Sequence, residues 1–140
     1  MNDNYSYTFG KKVYDLSART HVMGVLNVTP DSFSDGGKFL KAEDAIAHGK
    51  KMETDGADFI DVGGASTRPG AEEVSIEEEL KRVIPVITAL AKEVSIPVSV
   101  DTYRAQVADE ALKAGALIVN DISAFAFDPT MAETIAKHNA

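Results

Sequence analysis

The chain has 140 residues, 44% hydrophobic and 26% charged, with 14 Lys plus Arg against 22 Asp plus Glu for a formal charge of -8. That is chain enough for one globular domain, and its apolar share is that of a sequence that folds. An acidic balance with pI ≈ 4.8 and no Lys/Arg cluster argues against a nucleic-acid partner, whose affinity would need cationic side chains displacing counterions, and Cys 0 excludes disulfide scaffolds, thiolate zinc sites and cysteine nucleophiles.

The first residues lack a cationic segment followed by an apolar core, and no apolar run approaches the ~20 residues a bilayer requires, so the expectation is a cytoplasmic chain with no membrane partner. Tyr5 to Leu16 alternate around Gly10-Lys11 and predict a short β-hairpin. Four pairs of an apolar β-branched run and a helical segment follow, in one domain spanning 1–140. The first pair is a strand over Val22–Val28 and a helix over Lys41–Thr54, with Ala42, Ala45, Ile46, Gly49 and Met52 at three- and four-residue steps and Gly56 placed to end it. The second strand is Phe59–Val62. Ser75 and Glu78 form a capping box that opens the second helix, whose buried stripe is Leu80, Val83, Ile84, Ile87 and Leu90, with a kink expected at Pro85. The third strand, Pro97–Val100, runs into Asp101-Thr102, and a helix follows until Gly115. The fourth strand is Leu117–Ile122, and Asp128-Pro129 reads as the cap and first turn of the fourth helix.

Near-continuous apolar strands predict a parallel sheet covered on both faces. Two architectures fit, an open doubly wound sheet or a (β/α) barrel; a full barrel needs roughly 200 residues or more, so four units would be half of one. In either, the working face lies where strands hand over to the loops entering the helices. Asn27, Asp61, Asp101 and Asn120-Asp121 all fall there. Asp101 could instead cap the third helix and Asn120 could turn the chain, but recurrence on four strands favours a site. Carboxylates and amides at such a mouth suit a flat heterocycle with adjacent N–H donors, a pterin or guanine-like ring. The stretch Gly63 to Gly70, with Ser66, Thr67 and Arg68, has the makings of an anion cradle but lacks the ending of a P-loop. The polar loop Thr29 to Gly37 carries Phe33 between Asp31 and Asp35 and could close over a ligand. His21, His48 and His138 share no metal-ligand spacing and are expected on the surface or in packing. The glutamates Glu72, Glu73 and Glu77 to Glu79 read as a solvated helix start.

The segments Met23 to Gly37, Asp61 to Ala71, Val100-Asp101-Thr102 and Asn120-Asp121-Ile122, in this order, closely resemble dihydropteroate synthase. The resemblance implies a TIM (β/α)8 barrel, here its first four βα units behind a hairpin. It also implies a transferase of folate biosynthesis that joins 6-hydroxymethyl-7,8-dihydropterin diphosphate to p-aminobenzoate, releases pyrophosphate with Mg²⁺, and is a sulfonamide target. By the same resemblance Asp101, Asn120 and Ile122 would hold the pterin ring, and Asn27 would sit at the metal and diphosphate. Phe33, Asp35, Ser66, Thr67, Arg68 and Pro69 would order around the diphosphate and shape the p-aminobenzoate pocket, with Asp35 and Arg68 nearest the chemistry. Ala65 stands where many relatives carry Glu.

The family's later motifs, an Asp-Pro-Gly loop, a Ser-Arg-Lys segment and a terminal Arg-x-His, are not in these residues, and most of the family's homodimer surface belongs with them. The expectation is therefore an amino-terminal half with little turnover by itself. The competing readings are a non-catalytic half-barrel that associates through unpaired edge strands, and a pterin-binding methyltransferase domain.

Overall fold

The computed structural model describes residues 5–28, 38–65 and 73–140. A hairpin of β1 (Ser6–Phe9) and β2 (Lys12–Asp15) comes first, antiparallel, and turns at Gly10, whose φ of 60° is open to glycine without strain. Then follow β3 (Met23–Asn27), α1 (Lys38–Thr54), β4 (Phe59–Gly63), α2 (Ile76–Glu93), β5 (Val98–Asp101), α3 (Ala105–Ala114), β6 (Ile118–Asn120) and α4 (Met131–His138). The second sheet is parallel throughout and runs in the order β3-β4-β5-β6. A doubly wound sheet reverses its strand order at a switch point; this one never reverses, which is the winding of a barrel.

The two faces of that sheet differ. Leu26, Ile60, Val62, Val98 and Val100 point to one side and form a single core with Ala45 of α1, Val83, Val86, Ile87 and Leu90 of α2, and Val107, Ala111 and Leu112 of α3. The residues between them, Val25, Asn27, Asp61, Gly63, Ser99 and Asp101, point to the other side, where strand alternation places them. Met23 is 41% exposed and Val25 58% exposed on this side. Of the expected cover on both faces only one side is helical: the helical layer packs on one face, as on the outside of a barrel, and the opposite face carries the polar residues. At the amino-terminal end the hairpin covers it, with Phe9 and Tyr14 packed 5.6 and 5.2 Å from the ring of Phe59, and His21 beside them.

Local chemistry explains most element ends. Ser75 accepts from the Glu78 N–H and opens α2, one half of the expected capping box, while the Glu78 carboxylate pairs with Arg82 instead. Gly56 and Gly115 take φ of 105° and 115° just beyond α1 and α3, where a side chain would be strained. The α2 stripe is rotated from the expectation. Glu79 and Val86 are buried while Leu80 and Ile84 are only partly so, because α2 packs between α1 and α3 as well as on the sheet. The helix is continuous through Pro85. Glu79 also corrects the reading of a solvated acidic helix start: it is 2% exposed and paired with Arg104 at 2.8 Å. Asp128 does not open α4, which begins at Met131. Its Oδ1 accepts from the Thr130 N–H, and its Oδ2 reaches across to the N–H of Ala105, the first residue of α3. His138 closes α4 onto α3 by its 2.7 Å contact with Asp109, and His48 is exposed, so the three histidines hold packing and surface places.

Candidate functional site

Parallel register sets the site. Asn27 pairs with Gly63, Gly63 with Asp101, and Asp101 with Asn120, so the last residues of four successive strands form one lateral row. Gly63 is the gap in that row. A Cβ there would lie 3.5 Å from Asn27 Oδ1 and 3.5 Å from Asp101 Oδ2, so the absent side chain leaves space that an amide oxygen and a carboxylate oxygen both border. The next row down contains Val25, Asp61 and Ser99. Asn120 crosses between rows and donates from Nδ2 to Asp61 Oδ2 at 2.9 Å.

The electrostatics follow from this crowding of acids. Burial first, then the charges of Asp61, Glu79 and Asp121, push the Asp101 carboxyl up to about 6. A carboxylate held this way gains most from a ligand that donates hydrogen bonds to it, which restores what burial removed. The alternative role for Asp101, capping α3, is filled elsewhere: the Ala105 N–H goes to Asp128 and the Arg104 N–H to Thr102 Oγ1. Among the described residues no hydrogen bond occupies the Asp101 carboxylate.

Asp121 and Ile122 fall differently from expectation. The fourth strand stops at Asn120 rather than at Ile122, because Asp121 gathers the N–H groups of Ser123 and Phe125 and the Ser123 hydroxyl onto its carboxylate and turns the chain. Ile122 lies in that turn and is 57% exposed. It is next to the row but not in it. Phe33, Asp35, Ser66, Thr67, Arg68 and Pro69 lie outside the described residues, as does the rest of the loop expected to close over a ligand.

Sequence reasoning missed the supports of the second loop's entry and of the third strand's exit. Arg82 on α2 donates to the carbonyl of Gly64 at 2.9 Å while its Nε meets Glu78 at 3.1 Å. Arg104 joins buried Glu79 to the stretch before α2, reaching Glu73 at 3.4 Å. Gly64 and Glu79 lie 18 and 25 residues from Arg82 and Arg104, so no local spacing announces these two contacts. A cleft of about 630 Å³ at the other end of the sheet, lined by Leu16, Arg19, His21, Met23 and Phe59, offers no comparable convergence; its guanidinium is already paired with Asp58.

As to metal, no group of three or more His, Asp or Glu among the described residues could hold an ion. The exposed amide oxygen of Asn27, bordering the gap over Gly63, does suit Mg²⁺, which prefers oxygen donors, keeps several waters and takes only one or two protein ligands beside substrate phosphates.

Comparison with known proteins gives the family and the fold. Residues 23–140 match the family described as pterin binding enzyme. The chain is 61% identical over 121 residues to the dihydropteroate synthase of Bacillus subtilis (strain 168), covering 86% of this chain and 42% of that protein. It is 55% identical over 130 residues to the dihydropteroate synthase of Clostridium beijerinckii, covering 93% and 48%. Among solved structures, the Xanthomonas albilineans dihydropteroate synthase with 4-aminobenzoic acid superposes with a TM-score of 0.91 at 44% identity, over 98% of this chain and 50% of that one. A structure of the Xanthomonas albilineans enzyme in complex with 7,8-dihydropteroate does so at 0.84 and 41%, over 96% and 48%. The chain thus spans about half the length of the relatives it matches, and its four βα units correspond to half of their (β/α)8 barrel. With its match covering all four strands of the polar row, the chain belongs to the pterin-binding enzyme family.

Proposed function

We propose that this chain is the amino-terminal half of a dihydropteroate synthase, joining 6-hydroxymethyl-7,8-dihydropterin diphosphate to p-aminobenzoate with release of pyrophosphate. The observation that carries the reading is the row Asn27, Gly63, Asp101, Asn120, an open notch edged by one carboxylate and two amides. A pterin presents ring N–H and amino donors side by side, and this row supplies a carboxylate and amide oxygens that accept from such groups. Asp101 and Asn120 hold the ring, with Ile122 at its edge. Asn27 would hold Mg²⁺ and, with it, the diphosphate. Phe33, Asp35, Ser66, Thr67, Arg68 and Pro69 serve the diphosphate and p-aminobenzoate.

In the reaction the C–O bond from the pterin methylene to diphosphate breaks with its electron pair leaving on oxygen. The neutral aniline nitrogen bonds to the methylene carbon and then loses its proton to solvent. Charge builds on the leaving group, so the guanidinium of Arg68 neutralises it, and no strong general base is needed. Bound Mg²⁺ supplies further positive charge there. Asp101 and Asn120 keep the ring, and hence the methylene, fixed relative to the amine. Cytoplasmic location, sulfonamide sensitivity and a homodimer belong to the same proposal.

The test joins these 140 residues to the second half of the Bacillus subtilis relative and measures dihydropteroate formation. A folded chimera that makes dihydropteroate and loses it on Asn120→Ala supports the reading, with the 140-residue polypeptide alone near background. A folded chimera that makes none overturns it.

A further inference from the structure

The mouth of the sheet contains one buried acid that the proposed chemistry leaves unused. Asp61 is 4% exposed, and its two oxygens are in different situations. Oδ2 accepts from Asn120 Nδ2 at 2.9 Å, across β5, while Oδ1 is buried with no partner among the described residues. Ser99, its register partner on β5, likewise has a buried hydroxyl without a partner. A carboxylate kept for stability alone is normally satisfied at both oxygens, since each orphan costs a desolvation penalty. Asp61 is half satisfied, and its satisfied half grips a residue of the candidate site.

The consequence is stereochemical. An amide has a donor end and an acceptor end, and either could turn toward a ligand. As a carboxylate, Asp61 only accepts, so it takes the NH2 end of Asn120 and leaves the carbonyl end free. We propose that Asp61 is a positioning residue of the pterin pocket: it fixes the rotamer and amide orientation of Asn120 so that Oδ1 faces the ring as an acceptor. This rests on the reading of the site given above. It selects for ligands that donate at that edge, through an amine or ring N–H, and against rings that place a bare acceptor there, which would meet the Asn120 carbonyl with like polarity.

Two measurements test it, one without ligand. In the nitrogen-labelled 140-residue chain, the side-chain NH2 of Asn120, identified by its loss in Asn120→Ala, exchanges with water more slowly than that of Asn139; Asp61→Ala abolishes the difference. The second is the Kd for 6-hydroxymethylpterin. Asp61→Ala weakens it about tenfold, Asp61→Asn restores part of the loss because its amide oxygen still accepts, and Asp61→Ala adds little to Asn120→Ala in a double-mutant cycle. Additive losses, or unchanged affinity in Asp61→Ala, overturn the positioning role while leaving the site reading intact. A wild-type chain that protects Asn120 but binds no pterin overturns the site reading, and the ligand-orienting role with it.

Discussion

Asp101 is where fold and function pull against each other. Its carboxyl sits near 6 in the folded chain against an ordinary 3.8, raised first by burial and then by Asp61, Glu79 and Asp121. The folded state therefore holds a proton that the unfolded state has released across that window, and stability falls as pH rises from 3.8 to about 6. Above the window the penalty is fully present. Asp101→Asn removes it and is expected to raise stability at pH 7.5 by on the order of 1 kcal/mol after solvent screening, with no gain at pH 3.5. Thermal unfolding at the two pH values checks this; equal effects at both would contradict it. The same substitution is expected to weaken pterin binding, because one of the two acceptor oxygens becomes an NH2 donor and the charge is lost. In the sequence, Asp101 was legible as a strand-end acid. Of its neighbours, Asp61 and Asp121 are legible at the same strand mouth; Glu79 is not, because only the packing of α2 buries it beside them.

At the scale of elements, the close approach of β4's exit to α2 depends on Gly64. A Cβ there would fall 2.7 Å from Val83 Cγ1 and 3.3 Å from the Glu79 carbonyl. Val83 is fully buried and its branched side chain has few rotamers, so neither neighbour yields easily. Gly64→Ala is expected to cost about 1–3 kcal/mol in denaturant unfolding, whereas Gly24→Ala, which meets the flexible thioether of Met52, costs less. Equal costs would show that the approach of Gly64 to α2 is not as tight as its contacts imply. Asp128→Ala is expected to lose about 1 kcal/mol by uncapping α3, although Asp128 belongs to the loop before α4; an unchanged unfolding midpoint would contradict that assignment. The hairpin, the four strands and the four helices were legible because period and punctuation are local signals. The edges were less so. Asp128-Pro129 carries a helix-start chemistry that is spent on a different helix, and the last strand ends two residues before its apolar run does because Asp121 captures N–H groups ahead of it. The choice between barrel and open sheet turned on strand order, which no local pattern contains.

The whole molecule has one dressed face and one bare one. Among the described residues β3 and β6 each pair with a single strand, and Met23 and Val25 are exposed on the face that carries the polar row. Unpaired edges and bare apolar side chains favour association, against which a charge of -8 works at low salt. The 140-residue polypeptide is expected to show a light-scattering mass above that of a monomer, rising with salt as the repulsion is screened; a monomeric mass at all salt concentrations would contradict this.

The central claim is that Asn27, Asp101 and Asn120, brought level by parallel register, grip one donor-rich ring. The most direct measurement is a titration of 6-hydroxymethylpterin into the nitrogen-labelled chain, followed residue by residue. The account predicts saturable shifts that concentrate at Asn27, Gly63, Asp101 and Asn120 and that saturate only at higher pterin concentration in Asp101→Asn. Saturable shifts at Phe59, His21 and the hairpin instead, with the strand tips silent, would contradict it.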